Sequence, residues 1–166
     1  MFTAFASLAL VSCSDEAERE YRVPNALCGT SVSTELLSPF LPPGKKVSEK
    51  SLTPADGIAR CQVLVDGEIA LVVSREWWSD KPNLTEIAQG QAYVELENFS
   101  DDGRYIHSER GAVGKADCAR PVKPGNELFT VVQVPEPGRA NADAVKALIT
   151  GYTESMSSSD QCTRNE

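Results

Sequence analysis

Thiol chemistry and histidine-based catalysis in this chain would have to come from five cysteines and one histidine. A Ser–His–acid or Cys–His site needs a base to take the nucleophile's proton, and His107 is the sole histidine available. It lies in an ordinary strand-like stretch, and no Gly-x-Ser-x-Gly turn occurs anywhere in the chain. His107 therefore reads as a surface or hydrogen-bonded histidine. Zinc and thioredoxin-type redox sites need closely spaced thiols, and there is no Cys-x-x-Cys. No metal and no cofactor is expected. Cys28, Cys61, Cys118 and Cys162 are widely spaced and even in number, which in an exported chain reads as two disulfides with three possible pairings.

Three further stretches carry chemical possibilities. Asn98 to Glu109 places Asn98, Ser100, Asp102, Gly103 and Glu109 where a calcium loop has its ligands and its glycine. Asn98 replaces the usual first aspartate and no helix pattern follows, so the stretch reads as an acidic β-turn. Carboxylate-pair hydrolysis needs two acids about 5–9 Å apart across a cleft. With 24 acidic residues, spacing alone selects no such pair. Trp77-Trp78 is the strongest binding candidate. Neighbours on a strand point to opposite faces, so the pair reads first as plain packing, with a core anchor plus a contact for a partner or ligand as the weaker reading.

The fifth cysteine has a different context. Phe2 to Val11 is an apolar run of ten residues, too short for a bilayer span of about 20. It ends in Leu10-Val11-Ser12-Cys13 and is followed at once by the charged stretch Ser14 to Glu20. This resembles the bacterial lipobox, although no Lys or Arg precedes the apolar run. The resemblance implies cleavage before Cys13 and a diacylglycerol on its thiol. Two acyl chains suffice for stable attachment where one does not. The implied location is the extracytoplasmic face of the cell membrane. Residues 1–12 are then a lipoprotein signal peptide. Residues 13–23, without hydrophobic periodicity, form a lipidated flexible tether reaching at most about 35 Å. Residues 24–166 form a single domain.

The formal net charge of −8 repels phosphate backbones, which argues against nucleic acid as a partner. The expected partners are the membrane, through the lipid on Cys13, and an unknown protein or envelope ligand.

The elements that must position these residues follow from periodicity and turn chemistry. Ser31 or Ser33 caps a short helix over Val32 to Phe40, stopped by Pro42-Pro43-Gly44. Lys45 to Thr53 is a weak strand. Asp66-Gly67 between apolar runs predicts a two-residue hairpin, whose second strand, apolar on both sides at Ile69 to Val73, belongs inside a sheet. Asn83 opens a helix that Gly90 weakens; Ala92 to Leu96 either continues it or switches to strand, and we favour helix. Tyr105 to Ser108 and Gly111 to Cys118 read as short strands. Glu127 to Val134 is a strand ended by Pro135. Asn141 caps a last helix with Ala144, Val145, Leu148, Ile149, Tyr152 and Met156 on one face. The expected class is α+β: an antiparallel sheet with helices packed on it.

That topology selects the disulfides. A strand from about 127 and a helix returning from about 141 bring Cys162 back level with Cys118. The same logic sets Cys28 beside the strand bearing Cys61. The whole layout also resembles the small uncharacterised envelope lipoproteins of high-GC Gram-positive bacteria. Shared features are Leu27-Cys28-Gly29, Cys61 opening a hairpin, a glycine-containing stretch before Cys118, and a closing helix. The resemblance implies fold and location and no chemistry. The functional expectation is a non-enzymatic binding or interaction module, with a small carboxylate hydrolase as the alternative.

Overall fold

The computed structural model describes residues 18–163. Residues 1–12 and Cys13 lie outside them. Nine strands and three α-helices follow one another: β1 (Ala26–Leu27), β2 (Thr30–Ser31), α1 (Thr34–Leu37), β3 (Val47–Ala55), β4 (Ile58–Val65), β5 (Glu68–Trp78), α2 (Leu84–Gln89), β6 (Asn98–Phe99), β7 (Tyr105–His107), β8 (Gly111–Lys115), β9 (Glu127–Gln133) and α3 (Ala142–Ser157). A single 3-10 turn, Ser38–Phe40, completes the first helical segment. Seven strands form one antiparallel sheet in the order β3-β4-β5-β9-β8-β7-β6, and β1–β2 is a separate small hairpin. The fold is α+β. Among the described residues no helix is long and apolar enough to cross a membrane.

The β4–β5 turn forms at Asp66-Gly67, with φ of +52° and +94°, the left-handed pair that such a two-residue loop requires. Ala70 is one extra residue on β5 opposite the Val63–Leu64 step, and this bulge resets the alternation beyond it. Strands β5 and β9 sit mid-sheet, so both of their faces are covered. One face carries Cys61, Val63, Leu71, Val73, Trp77, Leu128 and Val132, buried under Leu37, Phe40 and the Val145–Leu148–Ile149–Tyr152–Met156 stripe of α3. The opposite face carries Ile106, Val113, Phe129 and Val131, buried under Ile87 and Ala88 of α2. The result is three layers, helix on sheet on helix.

Capping sets both well-defined helix starts. Asn83 and Glu86 exchange side-chain-to-backbone bonds at 3.0 and 2.8 Å, a capping box that opens α2. Asn141 Oδ1 accepts the Ala144 N–H at 2.9 Å to open α3, and Asp143 sits in its first turn.

Cys28 bonds to Cys61 and Cys118 to Cys162, spanning 33 and 44 residues with Cα separations of 5.7 and 4.3 Å. The first bridge ties the β1–β2 turn to β4. The second ties the segment after β8 to the turn after α3, where Arg120 N–H also donates to the Cys162 carbonyl at 2.8 Å.

Two expectations are corrected. Residues 19–23 are not tether. The Arg19 guanidinium donates to Ser38 Oγ at 2.9 Å and to the Ser38 and Leu41 carbonyls at 3.0 and 2.6 Å. Tyr21 and Val23 pack against the main core. Three carbonyl and hydroxyl partners and two apolar anchors outweigh the ordering entropy of this stretch. Ala92 to Leu96 is not helix. α2 ends at Gln89, and Tyr93 adopts φ of +65°, outside any helical geometry.

Candidate functional site

The chain from Gly90 to Phe99 runs across the sheet face that carries α2 and out to the β6 edge. Several contacts seat it there. Gln133 Nε2 donates to the Ala92 carbonyl at 2.9 Å. The Ser108 hydroxyl accepts the Glu95 N–H at 3.2 Å and lies 3.2 Å from both the Tyr93 and Gly111 carbonyls, which share its one proton. Val94 packs into the second core cluster. Gly111 is what allows the close approach: a Cβ there would lie 2.6 Å from the Tyr93 carbonyl carbon and 2.8 Å from Val94 Cγ2.

So seated, the segment turns its large side chains outward. Tyr93, Leu96 and Phe99 are 49%, 40% and 56% exposed, and they are the exposed large hydrophobics among the described residues. All three fall within seven consecutive positions of this one segment. Glu95 and Glu97 alternate with them. With Glu109 they ring a small cavity of about 120 Å³ beside Tyr93 and Ser108. The Glu97 carboxyl is held above its ordinary value, first by a hydrogen bond with Glu95, then by partial desolvation and by the negative charge of Glu95 and Glu109. Arg110 lines the same cavity, so three carboxylates crowd around one guanidinium. Among the described residues no cation pairs with these three carboxylates. Arg110, the nearest, is committed to Glu136 at 2.6 Å and to the Val134 carbonyl at 2.9 Å.

The neighbouring acidic stretch is a hairpin. Asn98 Nδ2 donates to the His107 carbonyl at 3.3 Å, and Asp102 Oδ1 accepts from Ser100 Oγ at 2.5 Å and Arg104 N–H at 3.1 Å. These bonds, the Ser100 hydroxyl first, hold the Asp102 carboxyl below its ordinary value. The side chains at the would-be ligand positions 98, 100 and 102 therefore bond within the β6–β7 turn.

The tryptophans are elsewhere. Trp77 is 9% exposed in the main core under α3, and half-buried Trp78 packs against the second cluster, its Nε1 sealed without an acceptor. They do point to opposite faces, but both faces are covered there. The exposed contact residues are Tyr93, Leu96 and Phe99 instead. Their signal in the sequence was the apolar–acidic alternation from Tyr93 to Glu97, which the helical reading absorbed.

Cys28, Cys61 and Glu49 converge closely enough to suit a metal ion, but the two sulfurs are bonded to each other and Glu49 Oε2 accepts the Cys28 N–H at 3.1 Å.

His107 is neither on the surface nor satisfied. It is 8% exposed, and its Nδ1 is buried without a hydrogen bond. Burial, then the Lys146 charge, lowers its pKa, with Asp143 opposing. The unfolded ring keeps a value near 6.5, so below that pH the unfolded chain binds the extra proton. Stability contributed by His107 is complete above about pH 6.5 and declines as pH falls toward the lower folded value. Urea midpoints at pH 7.5 and 5.5 check this. Wild type should lose stability between them, and His107→Leu should lose less.

No family model, no curated protein and no solved structure matches this chain. The site must therefore be read from its own geometry.

Proposed function

We propose that this chain is an extracytoplasmic lipoprotein, anchored to the cell membrane through lipid on Cys13, and that it acts as a non-enzymatic interaction module. Its docking surface is Tyr93, Leu96 and Phe99 with Glu95, Glu97 and Glu109. The partner is a protein segment that presents Lys or Arg beside apolar side chains. The carrying observation is that these exposed hydrophobics coincide with crowded, unpaired carboxylates.

The energetics favour that occupant. Covering the exposed half of each large side chain contributes about 1 kcal/mol. A cation between Glu95 and Glu97 relieves their mutual repulsion and adds to association rate and specificity. A second copy of the chain would set acid against acid, and an anionic lipid surface would be repelled. The paired cysteines support the extracytoplasmic half of the reading, since such bridges persist in oxidising compartments. With residue 19 already docked, about five residues separate Cys13 from the folded body, a reach of roughly 17 Å. The patch then works close to the membrane.

Two measurements test the reading. Mass spectrometry of membrane-extracted protein should find acyl mass on Cys13 and no residues 1–12; an intact, unmodified amino terminus contradicts the anchor. For the patch, the probe is a short peptide of alternating Lys and Leu. It should bind the intact protein in a salt-sensitive manner. The double variant Glu95→Lys/Glu97→Lys should bind about tenfold more weakly or worse, the loss expected for roughly 1.4 kcal/mol or more of lost pairing. Equal binding by the variant contradicts the surface.

The hydrolase alternative would draw on the Glu97 carboxyl, held above its ordinary value beside Glu95. The cavity beside them, about 120 Å³, is well below the 300 Å³ or so at which small-molecule sites begin.

A further inference from the structure

On the sheet face that carries α3, a cleft opens beyond the end of that helix. It separates the β1–β2 hairpin, the β3–β4 pair and the turn at Ser158 to Gln161. Its largest compartment, about 500 Å³, lies between Thr30, Ser31, Ser155 and Ser158. A second, about 190 Å³, reaches inward past Ser51 and Thr53 to the Cys28–Cys61 bridge and Tyr152. A third, about 210 Å³, extends toward Trp77 and Lys123. Arg75 lines all three.

Alternation along β5 explains its position. Val73, Arg75 and Trp77 share a face, and Arg75 stands opposite Ala59 on β4 and Thr130 on β9. Ala59 is too small to cover it. Among the described residues the guanidinium makes no hydrogen bond and no ion pair. The Tyr152 phenol is its recorded electrostatic neighbour. The acids near the cleft are otherwise placed: Asp56 pairs with Lys123 at 3.2 Å, Glu49 accepts from Cys28 N–H, and Asp160 stands at the outer wall without pairing to Arg75.

A half-buried arginine offers five N–H donors in a fixed fork, and no acceptor of its own satisfies them. The walls around it are hydroxyl-rich. Burial pushes Tyr152 up to about 12, so its phenol keeps its proton at neutral pH. A compartment of about 500 Å³ falls within the size range of small-molecule sites.

We propose that this cleft binds a small carboxylate in its largest compartment: Arg75 grips the two carboxylate oxygens, and Thr30, Ser31, Ser155 and Ser158 take hydroxyl or amide groups beside them. A planar monoanion suits one guanidinium fork. A dianion such as sulfate carries more charge into a domain of net −8. The site shares no residue with the acidic patch and is independent of the docking reading. The carboxylate belongs either to a free hydroxy acid or to a peptide C-terminus.

The test is a titration of intact ¹⁵N-labelled protein, following the Arg75 Nε–H resonance in wild type and the Thr30 and Ser31 backbone amides in wild type and variants alike. The probes are gluconate, acetyl-triglycine acid and acetyl-triglycine amide. A saturable shift with gluconate supports the hydroxy-acid source, and one with the tripeptide acid supports the peptide source. The amide should produce none. Arg75→Gln should weaken binding about tenfold or more and leave the melting temperature within a few degrees. Arg75→Lys keeps the charge and loses the fork, so binding should fall severalfold. The proposal is overturned if neither acid gives a saturable shift, if the amide binds as well as the acid, or if either arginine variant binds like wild type.

Discussion

Reducing both disulfides should unfold this domain at 37 °C. The bridges close loops spanning 33 and 44 residues. On chain-entropy grounds each loop contributes about 3–4 kcal/mol by restricting the unfolded chain. A domain of this size has roughly 5–15 kcal/mol in all, so losing both removes about 40% or more of it. Local geometry adds to the first bridge. Cys28 sits at φ of +44° in the β1–β2 turn, a left-handed conformation that costs a non-glycine residue about 1 kcal/mol or more. The bond to Cys61 keeps it there. Far-UV circular dichroism with and without a phosphine reductant is the check. Native ellipticity at 37 °C in the oxidised form and its loss on reduction is the expected pair of results. The double variant Cys28→Ser/Cys61→Ser should lose about 3–4 kcal/mol in urea melts, and a change below about 1 kcal/mol would contradict the assignment.

The second large effect concerns the other face of the sheet. Phe129 is fully buried on β9, with Ile87, Ala88 and Val131 in its cluster and Val94 packed against it. Lys115 Nζ lies 5.9 Å from its ring centre and pairs with Glu127 at 2.9 Å. Phe129→Ala should cost about 3–5 kcal/mol, because the pocket keeps most of its volume when the ring is removed. That corresponds to a fall of roughly 10–15 °C in melting temperature. It should also loosen the Gly90–Phe99 segment, since Val94 loses its seat. Phe99→Ala is the contrast. More than half exposed at the β6 edge, Phe99 should leave stability within about 0.5 kcal/mol and weaken binding of the Lys-Leu peptide. Equal melting temperatures for the two variants would mean that α2 does not cover a true core.

Much of the fold was legible because local chemistry and the final packing agree. Asp66-Gly67 can be little else than a hairpin turn. The stripe from Val145 to Met156 matches one helical face, and the pairing of Cys118 with Cys162 follows from the strand–helix return that this stripe completes. What stayed hidden depends on partners distant in sequence. The docking of Arg19 needs carbonyls at Ser38 and Leu41, which no local pattern announces. Tyr93 to Glu97 alternates apolar and acidic residues in a way that several structures could use. The choice is made by Gly111, across the sheet, where the missing Cβ admits the Tyr93 backbone. Strand alternation placed Trp77 and Trp78 on opposite faces correctly, but it carries no information about whether a helix lies on each. For His107 the same limit applies: its burial comes from the helix layer and not from its neighbours in the chain.

The docking surface itself is most directly tested on intact cells. A photo-crosslinking amino acid in place of Phe99 should capture one protein, and the crosslinked peptide should carry Lys or Arg next to apolar residues. Capture should disappear when Glu95→Lys/Glu97→Lys is added. Crosslinks to lipid alone, to a second copy of this chain, or to a peptide whose capture survives the charge reversal would contradict the account.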